Sequence, residues 1–168
     1  MKYWKTVVNA HGAGIRKAQL FNKISHLIAT LGFAGYFPYA PGTVGSAIAL
    51  LLVSLLKPDD LSLIIITLPL LIIGILASHN AEKTLGKDSG HIVIDEFCGY
   101  FISVLFVPRS IGYLIAAFFL FRLFDIVKPP PVRNAERAIP GGAGIMFDDV
   151  LAGIYTNICL QIWIFFFK

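Results

Sequence analysis

Residues 61–77 read LSLIIITLPLLIIGILA, an apolar run with no charged side chain. Similar runs occupy residues 44–56, 97–107, 111–127 and 150–167. Most are shorter than the roughly 20 residues that cross a typical hydrocarbon core, so flanking residues complete a crossing or some segments insert only in part. Pro69, inside the second run, predicts a kink of the kind that neighbouring membrane helices accommodate. Of the 168 residues 57% are hydrophobic and 14% charged, against about 45–50% and about 25% in an average soluble domain. The expected fold is therefore all-α, a polytopic membrane helical bundle, with membrane segments at about 44–56, 61–77, 92–107, 111–127 and 146–167. No linker or repeat divides the chain, and residues 1–168 are read as one domain.

The flanking segments carry the remaining signals. Between Arg16 and Gly32, Leu20, Phe21, Ile24, Leu27, Ile28 and Leu31 recur at the helical period, with Lys17, Asn22, Lys23 and His26 between them. A basic amphipathic helix over 16–32 beside a hydrophobic chain most simply lies in the membrane interface, with packing on the bundle as the alternative. Residues 7–12 contain no apolar core of the length a secretory signal needs, so no cleaved signal is expected. Cys98 and Cys159 lie inside apolar stretches without metal-type spacing and are expected to be buried structural thiols. The net charge of +4 comes from scattered residues rather than a patch, which disfavours a nucleic-acid partner.

If all five runs cross, Lys2, Lys5, Arg16, Lys17, Lys23, Lys83, Lys87, Lys128, Arg133 and Arg137 share one side. Only Lys57, Arg109 and Lys168 face the other. The basic side is expected to be cytoplasmic. The same count brings Asp95, Glu96, Asp125, Asp148 and Asp149 to that side, although only Lys and Arg were used to orient the spans. Carboxylates in membrane helices are costly and usually paired or functional, and like charges gathered together call for a cation. Oxygen ligands without a Cys/His cluster favour a hard ion, and Mg²⁺ suits a shell shared with water and a phosphate. Taken singly, each acid also reads as a helix-end residue facing water, favoured by the helix dipole. Against that reading, Asp95 and Asp149 each precede a glycine, Gly99 and Gly153, by four residues. Those glycines let the two acidic helix ends approach.

Arg122, Asp125 and Lys128 are spaced by three and share a face if the helix persists to Lys128. Pro129-Pro130-Pro131 then ends it, with Arg133 just beyond. Lys128, Arg133 and Arg137 serve either phosphate binding or orientation and attraction to anionic lipid. Two glycine-bearing loops, Ala40-Pro41-Gly42-Thr43-Val44-Gly45-Ser46 and Gly141-Gly142-Ala143-Gly144-Ile145-Met146, precede the first and last runs, as anion-binding helix starts or as simple turns. His79 and Glu82, near the end of the second run, read as loop residues in water, with a polar wall or a proton carrier as the alternative.

Four blocks carry a resemblance: Ala40 to Ser46; Ile92-Val93-Ile94-Asp95-Glu96-Phe97-Cys98-Gly99; Phe121-Arg122-Leu123-Phe124-Asp125-Ile126-Val127-Lys128-Pro129; and Gly144-Ile145-Met146-Phe147-Asp148-Asp149-Val150-Leu151-Ala152-Gly153. In order and content they resemble the phosphatidylglycerophosphatase A family from about residue 33 to 157. The resemblance implies an Mg²⁺-dependent enzyme that removes the terminal phosphate of phosphatidylglycerophosphate at the bacterial inner membrane. It carries no role to Asp88 or His91, and the first thirty or so residues lie outside it.

Neither a cysteine-based phosphatase motif nor an Asp-x-Asp nucleophile is present, so the expected nucleophile is water activated by metal. Asp95, Glu96, Asp125, Asp148 and Asp149 are assigned to the metal, one of them as general base. Thr43, Ser46, Arg122, Lys128 and Arg133 are assigned to the substrate. A divalent-cation transporter or channel is the rival from another class, but its acids would be spread through the membrane depth. A phosphotransferase of activated lipids would need a longer Asp-Gly and Ala-Arg pattern, and a purely structural subunit leaves the acids without a purpose.

Overall fold

The computed structural model describes residues 2–87, 89–130 and 139–167, with side chains from residue 16 onward. Among the described residues the regular elements are all helical. They are α1 (Lys2–Ala29), a 3-10 turn (Ala34–Tyr36), α2 (Pro41–Leu56), α3 (Asp60–Leu85), α4 (Ile94–Ser103), α5 (Ile111–Val127) and α6 (Gly142–Phe167). Local sequence sets several of these limits. Pro41 opens α2 behind a left-handed Ala40 (φ 48°), since its fixed φ suits a first helical position. Lys128 closes α5 in the left-handed region (φ 46°), its N–H donating to the Phe124 carbonyl at 2.9 Å, and Pro129 cannot extend the helix.

Helices α3 and α6 are long and apolar enough to cross a membrane. The outer face of the bundle is apolar: Ile65, Leu68 and Ile72 of α3, Phe119 of α5 and Ile162 of α6 are exposed, as expected where hydrocarbon replaces water. α3 runs past Pro69 and beyond the apolar stretch ending at residue 77, to Leu85.

The 92–107 stretch behaves differently from the others. Its helix α4 has 10 residues and rises only about 15 Å, roughly half a hydrocarbon core. It is held inside the bundle, with Ile94, Asp95, Phe97, Cys98, Gly99, Tyr100, Phe101 and Ser103 buried. Cys98 is thus buried as expected, but Cys159, on α6, is exposed, since an apolar run on a membrane bundle also presents an outer face. Beyond Ser103 the backbone turns irregularly, Phe106 adopting φ 58°, and such backbone is tolerated at membrane depth only where protein satisfies it. Here α6 supplies the donors: Asn157 Nδ2 donates to the Leu105 carbonyl at 2.6 Å and Gln161 Nε2 to that of Phe106 at 3.0 Å. Arg109 donates to the carbonyls of Val104, Val107 and Pro58 and pairs with Asp60 at 2.6 Å. One arginine thus ties the α2–α3 corner to the loop before α5.

The amphipathic N-terminal segment is part of α1, which begins at Lys2 and stops at Ala29, because Leu31 and Gly32 take positive φ values of 46° and 73°. α1 packs on the end of α3, Asn80 donating to Asn22 at 3.0 Å and His26 bonding Thr84. Its stripe of Leu20, Phe21, Ile24 and Leu27 stays exposed. The helix thus packs on the bundle by one face and leaves its apolar stripe uncovered.

Candidate active site

Gly99 and Gly153 decide how α4 and α6 meet. A Cβ on Gly99 would stand 2.7 Å from the Asp149 carbonyl oxygen, and one on Gly153 would stand 2.5 Å from that of Gly99. Only two glycines permit that approach. One turn toward the helix starts, Asp95 and Asp149 are consequently brought side by side. A third contact of this kind admits Glu96: a Cβ on Gly42, in the first turn of α2, would overlap the Glu96 carboxylate.

The result is a cavity of about 150 Å³ lined by Asp95, Glu96, Asp125, Lys128, Asp148 and Asp149. All five predicted acids meet there. One carboxylate oxygen each from Asp95, Glu96 and Asp149 lies within 4.8 Å of the others. Asp95 Oδ1, Glu96 Oε2 and Asp149 Oδ1 are buried without a hydrogen-bond partner. Buried carboxylate oxygens lacking partners are costly, and facing one another they also repel. An oxygen-only cluster of this size fits a hard divalent cation, which removes both penalties and leaves positions for water and a phosphate oxygen.

The basic residues divide their work differently from the expected shared face. Arg122 Nη1 bonds Asp125 Oδ2 at 2.5 Å and lies 3.7 Å from Glu96 Oε1. Its Nη1 thus faces two acids while its Nε is buried without a partner, and the residue does not border the cavity. Lys128 leaves the Arg122–Asp125 face because its left-handed backbone ends the helix, and its Nζ meets Asp148 Oδ2 at 2.5 Å on the cavity wall. Among the described residues it is the basic side chain that lines the cavity. Ser46 is fully buried, and its hydroxyl donates back to the carbonyls of Gly42 and Thr43. Neither Ser46 nor Thr43 borders the cavity. Arg133, Arg137 and Asp88 lie outside the described residues.

Several neighbours take structural places. Ser89 and Gly90, which carried no signal beyond standing just before the Ile92 block, line the cavity. His91 turns away, stacking on Tyr36 with centroids 4.8 Å apart, its Nδ1 2.8 Å from the Gly35 carbonyl. The Gly141-Gly142 loop presses on α3, where a Cβ on Gly142 would overlap the backbone of Ile75 and His79. Those glycines serve helix packing, and His79 and Glu82 stand beside that contact.

Residues 27–164 match the family model described as phosphatidylglycerophosphatase A. The chain belongs to the phosphatidylglycerophosphatase A family. The match includes every cavity residue and omits most of α1. A phosphatidylglycerophosphatase A of Haemophilus influenzae is 39% identical over 158 residues, 89% of this chain and 95% of the relative. One of Escherichia coli is 38% identical over 135 residues, 78% of each chain. A Bacteroides thetaiotaomicron protein provisionally named a phosphatidylinositol-3-phosphatase is 40% identical over 145 residues, 81% of this chain and 91% of the relative. No solved structure matches. Membership makes the chain a phosphatase.

Proposed function

We propose that the protein hydrolyses phosphatidylglycerophosphate to phosphatidylglycerol and inorganic phosphate, using Mg²⁺ at the cytoplasmic face of a bacterial inner membrane that it crosses several times. The observation carrying this reading is the trio of unpartnered oxygens on Asp95, Glu96 and Asp149 beside Lys128. The side is assigned from the Lys and Arg distribution. The substrate is that named for the Haemophilus and Escherichia relatives.

Asp95, Glu96 and Asp149 would hold the ion, with Asp125 and Asp148 beside them. When bound, Mg²⁺ supplies Lewis-acid polarisation of the phosphoryl group and lowers the pKa of water. Lys128 places a positive charge on the cavity wall for the phosphate, and Asp148 holds its Nζ there. Arg122 fixes Asp125 and Glu96 in place. Water attacks phosphorus as the bond to the glycerol oxygen breaks. A cavity carboxylate takes the proton lost by the water, and the leaving oxygen ends protonated. Arg133 joins Lys128 at the phosphate in this reading.

Phosphate release by the purified protein in detergent tests it, using phosphatidylglycerophosphate, phosphatidylinositol 3-phosphate and phosphatidic acid, each with and without Mg²⁺. Fastest Mg²⁺-dependent release from phosphatidylglycerophosphate is expected. Preference for the inositol lipid would move the assignment to the activity for which the Bacteroides relative is named. Undiminished release without Mg²⁺ would overturn the metal assignment.

A further inference from the structure

The acidic cavity has room for a phosphate and an ion but not for a lipid. Its volume of about 150 Å³ is the share of roughly five water molecules. The rest of a lipid substrate must lie elsewhere. A larger cavity, about 600 Å³, opens between α5 and α6, with Tyr113, Ala116 and Leu120 on one wall and Cys159, Leu160 and Trp163 on the other. Its lining is almost wholly apolar, whereas the groove between α1 and α3 is edged by Asn22, Lys23, His26 and Thr84.

Position connects the larger cavity to the acidic one. On α5, Tyr113, Ala116, Leu120 and Phe124 recur at intervals of three and four, and so fall on one face that leads to Lys128. On α6, Asp148, Ala152, Tyr155, Cys159 and Trp163 do the same. The two faces meet in three successive layers. The first is the Lys128–Asp148 ion pair at 2.5 Å, and the second is the Phe124–Tyr155 ring contact with centroids 5.7 Å apart. The third is the cavity, where Ala116 leaves the seam open. At a helical rise of 1.5 Å per residue, Leu120 lies roughly 12 Å and Tyr113 roughly 22 Å below Lys128. The cavity continues to Ser110 and Gly112 at the opposite end of α5, so it runs from about the middle of a roughly 30 Å core toward its far side, a depth that an extended acyl chain reaches from a headgroup beside Lys128. In phosphatidylglycerophosphate a glycerol and a phosphodiester separate the terminal phosphate from the chain-bearing glycerol, so its chains begin beyond the aromatic layer.

We propose that this groove holds one acyl chain of the lipid substrate, the α5–α6 seam receiving the phosphate at one end and the chain at the other; the inference rests on the lipid phosphatase activity proposed above. Ala116, Leu120 and Leu160 form the chain's bed, and the Phe124–Tyr155 layer separates it from the polar chemistry.

Cys159 is exposed on the groove wall, whereas Cys98 is buried, so a bulky maleimide applied to the detergent-solubilised protein at raised pH, with one adduct per chain confirmed by intact mass before assay, marks the groove selectively. Treated and untreated protein are compared in mixed micelles on dioleoyl and dihexanoyl phosphatidylglycerophosphate, with Cys159→Ala taken through the same treatment. Treatment is expected to raise KM for the dioleoyl lipid about fivefold, the loss of a shape-matched contact between apolar surfaces. The dihexanoyl KM and both kcat values stay unchanged, and Cys159→Ala does not respond to the reagent. No change for either lipid, or the same rise for both, overturns the groove's role. If untreated protein releases no phosphate from either lipid, the activity reading fails by itself. The groove is then decided by the dioleoyl lipid carrying a diazirine on its chain. Adducts on Ala116, Leu120 and Leu160 uphold the proposal. Adducts spread over the outer face of α3, or suppressed equally by phosphatidylcholine, overturn it.

Discussion

Gly153 of α6 lies against the carbonyl oxygen of Gly99 in α4, with no space between them for a side chain. This contact stands one turn from both Asp95 and Asp149, so the spacing of the two carboxylates depends on it. Gly153→Ala should therefore push α4 and α6 apart, at a cost of about 1–3 kcal/mol in stability. It should also raise the Mg²⁺ concentration needed for half-maximal phosphate release. A thermal melt and a Mg²⁺ titration check the two effects. An unchanged titration with a lowered Tm would mean that the glycine contact serves folding alone.

Much of this arrangement was legible in the sequence. The five acids stand near the ends of three apolar runs, which counting the runs already brought to one side, and they do meet at one cavity; α5 occupies the very residues 111–127 of its apolar run. The glycines four residues after Asp95 and Asp149 announced the close helix contact. What could not be read depended on side-chain direction or on partners distant in sequence. Arg122 has the right charge for phosphate, and the ion pairs that its Nη1 makes with Glu96 and Asp125 could not be read from charge alone. Ser46 sits in a glycine-bearing loop motif, yet falls on the buried face of α2 and bonds its own helix. The early end of α4 was hidden because residues 104–107 are as apolar as a helix interior. Asn157 and Gln161, some fifty residues away, make that ending tolerable.

Lys128→Ala should weaken use of the lipid more than use of the metal. A charged hydrogen bond is worth about 1.5–3 kcal/mol, so KM should rise about tenfold to a hundredfold. The Mg²⁺ dependence should stay close to that of the unmodified protein. Steady-state kinetics at several Mg²⁺ concentrations separate the two, and an equal loss of both would end the assignment of Lys128 to phosphate.

Arg122→Gln should act in the opposite sense. It removes the positive partner of two half-buried carboxylates, and breaking such a pair costs about 3–5 kcal/mol when fully buried, somewhat less here. A fall in Tm accompanied by altered Mg²⁺ affinity is expected. If instead KM alone rises and Tm holds, Arg122 contacts the substrate directly.

Arg109→Ala provides a contrast at the far end of the bundle. Its loss removes the cationic partner of Asp60, which keeps the Phe106 N–H, and one donor to each of the Pro58, Val104 and Val107 carbonyls. Because the Asp60 side chain is 38% exposed, about 2 kcal/mol is a fair upper figure for the pair. Stability should fall while KM and Mg²⁺ dependence persist in the folded fraction, as denaturant titration beside kinetics will show. A change in Mg²⁺ dependence would mean that the two ends of the bundle are coupled.

In the proposed mechanism Asp95, Glu96 and Asp149 hold a divalent cation on which phosphate release depends. Its most direct test is phosphate release by Asp95→Asn and Asp149→Asn across a wide range of Mg²⁺, beside the unmodified protein. Asn keeps the shape of the side chain and removes the charge, so both variants should remain folded and lose turnover at low Mg²⁺, with partial recovery when the ion is in excess. Turnover at the unmodified rate by both variants at low Mg²⁺ would mean that these carboxylates hold no ion needed for phosphate release.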